Sequence, residues 1–304
     1  MTRPLRVGLQ LPEAERRVPF DEVLVLARRA EAVGFDALWL GDHLLYELAD
    51  GVRGPHEVWT SLAALAAVTE RVTLGPLVAC TAFHAPALLA KQAATVDAIA
   101  GGRLVLGLGA GWHEPEFRAF GLPFDHRVGR FEEAFTIIRR LLAGEEVSFA
   151  GRWHRVERCL LEPPPVRAAT GGPPLLVGSV GPRMLAIALP HVAAWNAWWT
   201  DFGNDVDGFT ALKARMDAAV ASAGRAAGSV RATVALWVRL EGATGRPFGD
   251  EAFAHVAPLD GMPARLAEQL RAFAAAGADE VMLVADPITG ASVERLGEAL
   301  ALLS

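Results

Sequence analysis

Two residues with acid–base chemistry stand together where a short apolar run ends: Asp42-His43 follows Ala37–Leu40 and Gly41. A histidine can exchange a proton near neutral pH, and a neighbouring aspartate can pin a loop by accepting from backbone amides. At an exposed turn the same pair would do neither, so position decides between these readings. Two glycine-rich turns follow other apolar runs. Gly107-Leu108-Gly109-Ala110-Gly111-Trp112 lets backbone approach a flat ligand closely, or is simply a tight turn. Gly178-Ser179-Val180-Gly181-Pro182 precedes a helix and suits an anion such as phosphate, with Ser179 adding a hydroxyl; an ordinary loop is the bland alternative. Trp112, Trp198, Trp199 and Phe202 could line a pocket for a flat apolar molecule, while Trp195 reads as core. Arg127 and Arg130 could meet a phosphate, although a salt bridge to Glu132 or Glu133 is the commoner outcome. Cys80 has no neighbouring base in sequence and reads as a small pocket-lining residue, not a nucleophile.

The elements that must position these residues alternate regularly. Apolar runs at Leu5–Leu11, Ala37–Leu40, Val72–Cys80, Leu104–Leu108, Leu175–Val177, Val192–Trp195, Ala232–Val238 and Glu280–Val284 predict buried strands. Amphipathic helices fall between them, among them Asp21–Val33, Trp59–Thr69, Val128–Leu142, Met184–Leu189, Phe209–Ala223 and Val293–Leu302. Eight strands alternating with helices predict an α/β fold, a (β/α)₈ TIM barrel. A doubly wound sheet is the rival, but the first strand runs into LPEAERR and lacks the usual glycine-rich turn. In a barrel the loops after the strands share one face, which places Asp42-His43 and both glycine turns around one mouth. Two segments exceed what a barrel needs: Glu145–Pro165 reads as a hairpin with a proline-rich exit, and Trp198–Asp207 as a loop.

Composition narrows the function classes. The 304 residues carry 29 Lys+Arg against 35 Asp+Glu, a formal charge of -6, which supplies no surplus for gripping nucleic acid. Hydrophobic residues make up 52%, enough for a large core. The longest uncharged apolar stretch, Val72–Ala90, is broken by Gly75, Pro76, His84 and Pro86, so strand, turn and helix explain it better than a membrane span. Cys80 and Cys159 form neither a disulfide framework nor metal-ligand spacing; no metal and a reducing cytoplasmic location are expected.

Taken together, FDALWLGDH, HEVWTSLAALAAVTERVTLGPLVACTAFHAPALLAKQAATVDAIAGGRLVLGLGAGW and LLVGSVGPRM with Trp195-Asn196 resemble the bacterial luciferase-like superfamily, and within it most closely the coenzyme F420-dependent oxidoreductases. The resemblance runs from Leu5 to about Asn196 and resumes over Gly261–Val284. It implies one luciferase-like TIM-barrel domain over 1–304, with a flavin-type ring at the C-terminal mouth and excursions near 145–165 and 198–207. Asp42 and His43 inherit the catalytic position. Leu77 and Val78, with Cys80 beyond them, back the ring and form a non-proline cis peptide. Gly109, Gly111 and Trp112 cover the ring edge, and Gly178, Ser179, Val180 and Gly181 hold a phosphate. The sequence departs from the family in lacking Asp and Gly before Trp195-Asn196, in carrying Val180 in the phosphate turn, and in placing His84 where relatives carry Arg.

The resemblance implies an enzyme: F420-dependent hydride transfer to or from a small apolar or aromatic substrate, seated against Trp112, Trp198, Trp199 and Phe202. The alternatives are an FMN-dependent monooxygenase using reduced flavin and O₂, and a non-catalytic flavin-binding subunit. The expected partners are the small-molecule substrate, a flavin or F420 reductase, and a second copy of the chain in a homodimer, with neither nucleic acid nor membrane.

Overall fold

A computed structural model describes residues 3–245 and 256–303. Strand β1 (Arg6–Gln10) leads through helix α1 (Phe20–Val33) to β2 (Ala37–Leu40). A hairpin of β3 (Tyr46–Leu48) and β4 (Gly51–Arg53) precedes α2 (Val58–Val68). The next strand is split into β5 (Thr73–Pro76) and β6 (Ala79–Cys80), and α3 (Pro86–Ile99) follows. After β7 (Leu106–Gly109) come the short α4 (Glu114–Ala119), the long α5 (Arg127–Leu142) and a second hairpin, β8 (Val147–Ala150) with β9 (Arg155–Cys159). The chain then runs β10 (Leu175–Gly178), α6 (Pro182–Ala188), β11 (Ala194–Ala197), α7 (Val206–Ser222), β12 (Arg231–Arg239), β13 (Leu259–Asp260), α8 (Pro263–Ala275), β14 (Glu280–Asp286) and α9 (Gly290–Leu303).

All main-sheet pairings are parallel, in the order β5-β2-β1-β14-β12-β11-β10-β7-β6, with β13 beside β12. The two ends of this order, β5 and β6, are consecutive pieces of one strand, and Leu74 bridges Leu104 in parallel. The sheet therefore closes on itself as the predicted barrel. Parallel strands covered on both faces are buried throughout, which is why β2 reads as the unbroken apolar run Ala37–Leu40. The helices around it are amphipathic in the expected way. In α1, Val23, Leu26, Ala27 and Ala30 face the sheet, and Gly34 ends the helix in the left-handed conformation at φ 104°.

The elements not expected from sequence include the β3–β4 hairpin and α4. Both are short, and neither shows a long periodic pattern. The expected hairpin within Glu145–Pro165 is present as β8–β9. The expected loop Trp198–Asp207 contains a 3₁₀ turn at Trp199–Asp201, and α7 begins earlier than predicted, at Val206, because Asp205 caps it through Gly208 N. The uncharged stretch Val72–Ala90 resolves into β5, β6, a 3₁₀ turn and the start of α3. Among the described residues no helix is long and apolar enough to cross a membrane.

Candidate active site

The loop after β2 is fixed from two sides. Asp42 is buried, and its Oδ2 accepts from Cys80 N at 2.8 Å and lies 3.0 Å from His84 Nε2. An ionised carboxylate only accepts, so Nε2 of His84 carries the proton. Asp42 thus acts on the loop as the sequence reading allowed, by holding a backbone amide. On the other side stands Glu116 of α4, itself buried. Its carboxylate oxygens lie 3.0 and 3.3 Å from His43 Nδ1, and Oε2 accepts from Leu44 N at 2.8 Å. Burial works against a charged His43, but the Glu116 hydrogen bond and the charges of Glu13, Glu116 and Asp42 outweigh it, and the His43 pKa is raised. Its ring packs beside Tyr46 at 4.7 Å and Trp112 at 5.6 Å between centroids.

Asp42, His43, Tyr46, Cys80, Trp112 and Glu116 line one cavity of about 770 Å³ at the C-terminal mouth. The wall between β5 and β6 carries the expected cis peptide, Leu77–Val78. The Val78 side chain fills space that larger neighbours would deny it. A Cβ at Gly109 would come 2.7 Å from Val78 Cγ2, and one at Gly178 would come 2.7 and 2.8 Å from its two methyl groups. The glycines that end β7 and β10 therefore make room for Val78 and also line the cavity. Gly111 has φ 79°, a backbone conformation that disfavours a side chain, and it sits against Cys80 and Phe117.

Gly178, Ser179, Val180 and Gly181 line the same cavity, with Gly181 N donating to Ser179 Oγ at 3.2 Å. Arg127 and Arg183 also line this cavity. The expected pairing of Arg127 or Arg130 with Glu132 or Glu133 is not what forms. Arg127 donates to Gly111 O at 2.7 Å and lies 3.9 Å over the Phe124 ring, while Arg130 pairs with Asp125 at 2.9 Å. Glu133 instead accepts from the backbone amides of Arg152, Trp153 and His154. It thereby anchors the β8–β9 turn, and Trp153 joins the cavity wall.

The aromatic residues divide. Trp112 is 48% exposed at the mouth, and Trp198 and Trp199 line the cavity with ring centroids 4.0 Å apart. Phe202 does not line it. The 3₁₀ turn carries it inward, where it is buried against Phe209 and Phe273. Cys80 does line the cavity, and burial together with the Asp42 charge pushes its thiol pKa well up, which leaves no thiolate. Among the described residues, no group of three or more His, Cys, Asp or Glu could hold a metal.

The sequence reading missed Glu116, Tyr46 and Trp153. Glu116 sits in HEPEF directly after the glycine run Gly107–Trp112, where Pro115 marks a helix start; that start was the available signal. Tyr46 and Trp153 reach the cavity on hairpins whose orientation no periodicity encodes.

Residues 4–241 match the family described as luciferase-like monooxygenase. The chain belongs to that family. An F420-dependent glucose-6-phosphate dehydrogenase from Microbacterium testaceum is 34% identical over 231 residues, covering 74% of this chain and 65% of that protein. The chain thus matches just under two thirds of that relative's length. Among solved structures, an F420-dependent secondary alcohol dehydrogenase in complex with an F420-acetone adduct superposes with a TM-score of 0.82 at 17% identity, covering 99% of both chains. A monooxygenase from Streptomyces bottropensis superposes with a TM-score of 0.79 at 22% identity, covering 98% of this chain and 99% of that one. These likenesses carry the luciferase-like barrel fold; they do not choose between the two chemistries.

Proposed function

We propose that this luciferase-like protein is an F420-dependent oxidoreductase that moves hydride to or from a small apolar or aromatic organic substrate. The observation that carries this reading is the His43–Glu116 pair: a histidine with a raised pKa at the cavity wall, held by a buried carboxylate. Such a group suits the proton that accompanies a hydride. The relative from Microbacterium testaceum, an F420-dependent dehydrogenase by name, supports the same cofactor.

The residues present fit a deazaflavin. The cavity is large enough for a tricyclic ring with a substrate above it, and the Leu77–Val78 wall offers a backing. Gly178–Gly181, Arg127 and Arg183 also line the cavity and would supply donors suited to a phosphate. When bound, the cofactor supplies or takes the hydride. His43 Nδ1–H is held by Glu116, which leaves Nε2 to give a proton to, or take one from, a substrate oxygen. Trp198 and Trp199 would orient an apolar substrate and keep water from it.

The test is an equilibrium titration with F420 and, separately, FMN, followed by tryptophan fluorescence. Preference for F420 supports hydride transfer. Preference for FMN turns the reading to monooxygenation with O₂ and a partner reductase. Binding of neither overturns both and leaves a non-catalytic role.

A further inference from the structure

One oxygen atom of Asp42 ties two segments of the cavity wall, its own loop and the end of β6, to His84 behind them, and no proton moves through it in the scheme above. Oδ2 accepts from Cys80 N at 2.8 Å, just beyond the Leu77–Val78 bond, and from His84 Nε2 at 3.0 Å. Asp42 belongs to the loop after β2, Cys80 ends β6, and His84 stands between the 3₁₀ turn at Thr81–Phe83 and α3. The His84 imidazole does not serve as a helix cap: Ala85 occupies the cap of α3, with no side-chain bond. His84 is instead set edge-on to Trp59, with ring centroids 6.4 Å apart, and Glu57, which caps α2, interacts with it electrostatically. Its side chain is 15% exposed, and that of Asp42 is 4% exposed.

Asp42 is also the neighbour of His43. On the far side, Glu116 holds both the His43 ring and the Leu44 amide. The short run Asp42-His43-Leu44 is therefore pinned at each end, by His84 and Cys80 on one side and by Glu116 on the other. A buried carboxylate that lost its ring partner would keep only the Cys80 amide among these two bonds, and an under-paired buried charge shifts to find water or another donor. Such a shift would move the Cys80 end of the wall, which Asp42 holds, relative to the His43 ring, which Glu116 holds separately.

We infer that His84 is a positioning residue: its hydrogen bond to Asp42 sets the placement of the Leu77–Cys80 wall relative to His43 and thereby governs affinity for the ring that the wall backs. The binding arm of this inference rests on the F420 reading above; the backbone arm does not.

Two variants separate the hydrogen bond from simple packing. His84→Gln keeps an amide donor but no ring, and His84→Phe keeps a ring but no donor. Melting temperature is recorded for both. In the cofactor-free protein, amide hydrogen exchange across residues 77–84 should quicken about tenfold in His84→Phe, and His84→Gln should stay near wild type. F420 affinity measured by fluorescence titration should fall about tenfold in His84→Phe and recover to within about threefold in His84→Gln. The pH at which the His43-dependent rate turns over should stay in place in both. A His84→Phe protein with wild-type exchange and affinity overturns the inference, as does a His84→Gln protein that loses both, because packing would then be what matters. If the wild-type protein does not bind F420, the functional reading fails and the exchange result alone decides this one.

Discussion

His43 Nδ1 lies 3.0 Å from Glu116 Oε1, across 73 positions of sequence, and this pair sets the acid–base character of the cavity. Replacing Glu116 with Gln removes the charge that opposes desolvation, so the His43 pKa should fall and the rate should drop. A loss of about 10²–10⁴-fold in kcat is expected, with the pH profile displaced to lower pH. Steady-state rates between pH 5 and 9 check both effects; an unchanged profile would remove His43 from the proton path.

The same pair makes stability depend on pH. The folded-state pKa of His43 is raised, so its contribution is complete below the ordinary histidine value of about 6.5 and fades as pH rises through the higher folded value. Melting temperature should therefore decline over that rise in the wild-type protein and decline less in Glu116→Gln. A histidine NMR titration should place His43 above the usual range.

Val78 occupies the space that a Cβ at Gly109 or Gly178 would need. Gly109→Ala and Gly178→Ala should each cost about 1–3 kcal/mol of stability through overpacking. They should also weaken cofactor binding, because the displaced Val78 belongs to the backing wall. Chemical denaturation and the fluorescence titration read the two effects separately.

Cys80 is buried with a raised thiol pKa, while Cys159 is half-buried. At pH 8 iodoacetamide should label Cys159 in the native protein and leave Cys80 untouched until denaturant is added. Peptide mass spectrometry decides. Rapid native labelling of Cys80 would show a thiolate where the surroundings oppose one.

Trp198 and Phe202 should part company. Trp198 lines the cavity, and Trp198→Ala should raise KM for an apolar substrate about tenfold with a small change in melting temperature. Phe202 is buried against Phe209 and Phe273, and Phe202→Ala should cost about 3–5 kcal/mol of stability and leave KM near wild type. Denaturation curves and initial rates on the same two proteins make the comparison.

The sequence by itself determined the barrel. The parallel strands are covered on both faces, so they appear as short, mainly apolar runs such as Ala37–Leu40, and the helices between them show a one-sided pattern such as Val23, Leu26, Ala27 and Ala30. The barrel rule that strand-end loops share one face then brought Asp42-His43, Gly107–Trp112 and Gly178–Gly181 to one mouth, and residues of all three line one cavity, with Gly109–Trp112 contributing from the first glycine run. What each residue does there was decided only by tertiary structure, because it depends on partners far away in the chain. Asp42 is a clamp because Cys80 N and His84 reach it, and His43 carries a raised pKa because Glu116 arrives from α4. Gly109 and Gly178 serve Val78, and Phe202 is core because a 3₁₀ turn carries it inward. Local periodicity records which face of an element is buried. It holds no information about which distant side chain will meet a given atom, and hydrogen bonds and pKa shifts are made of such meetings.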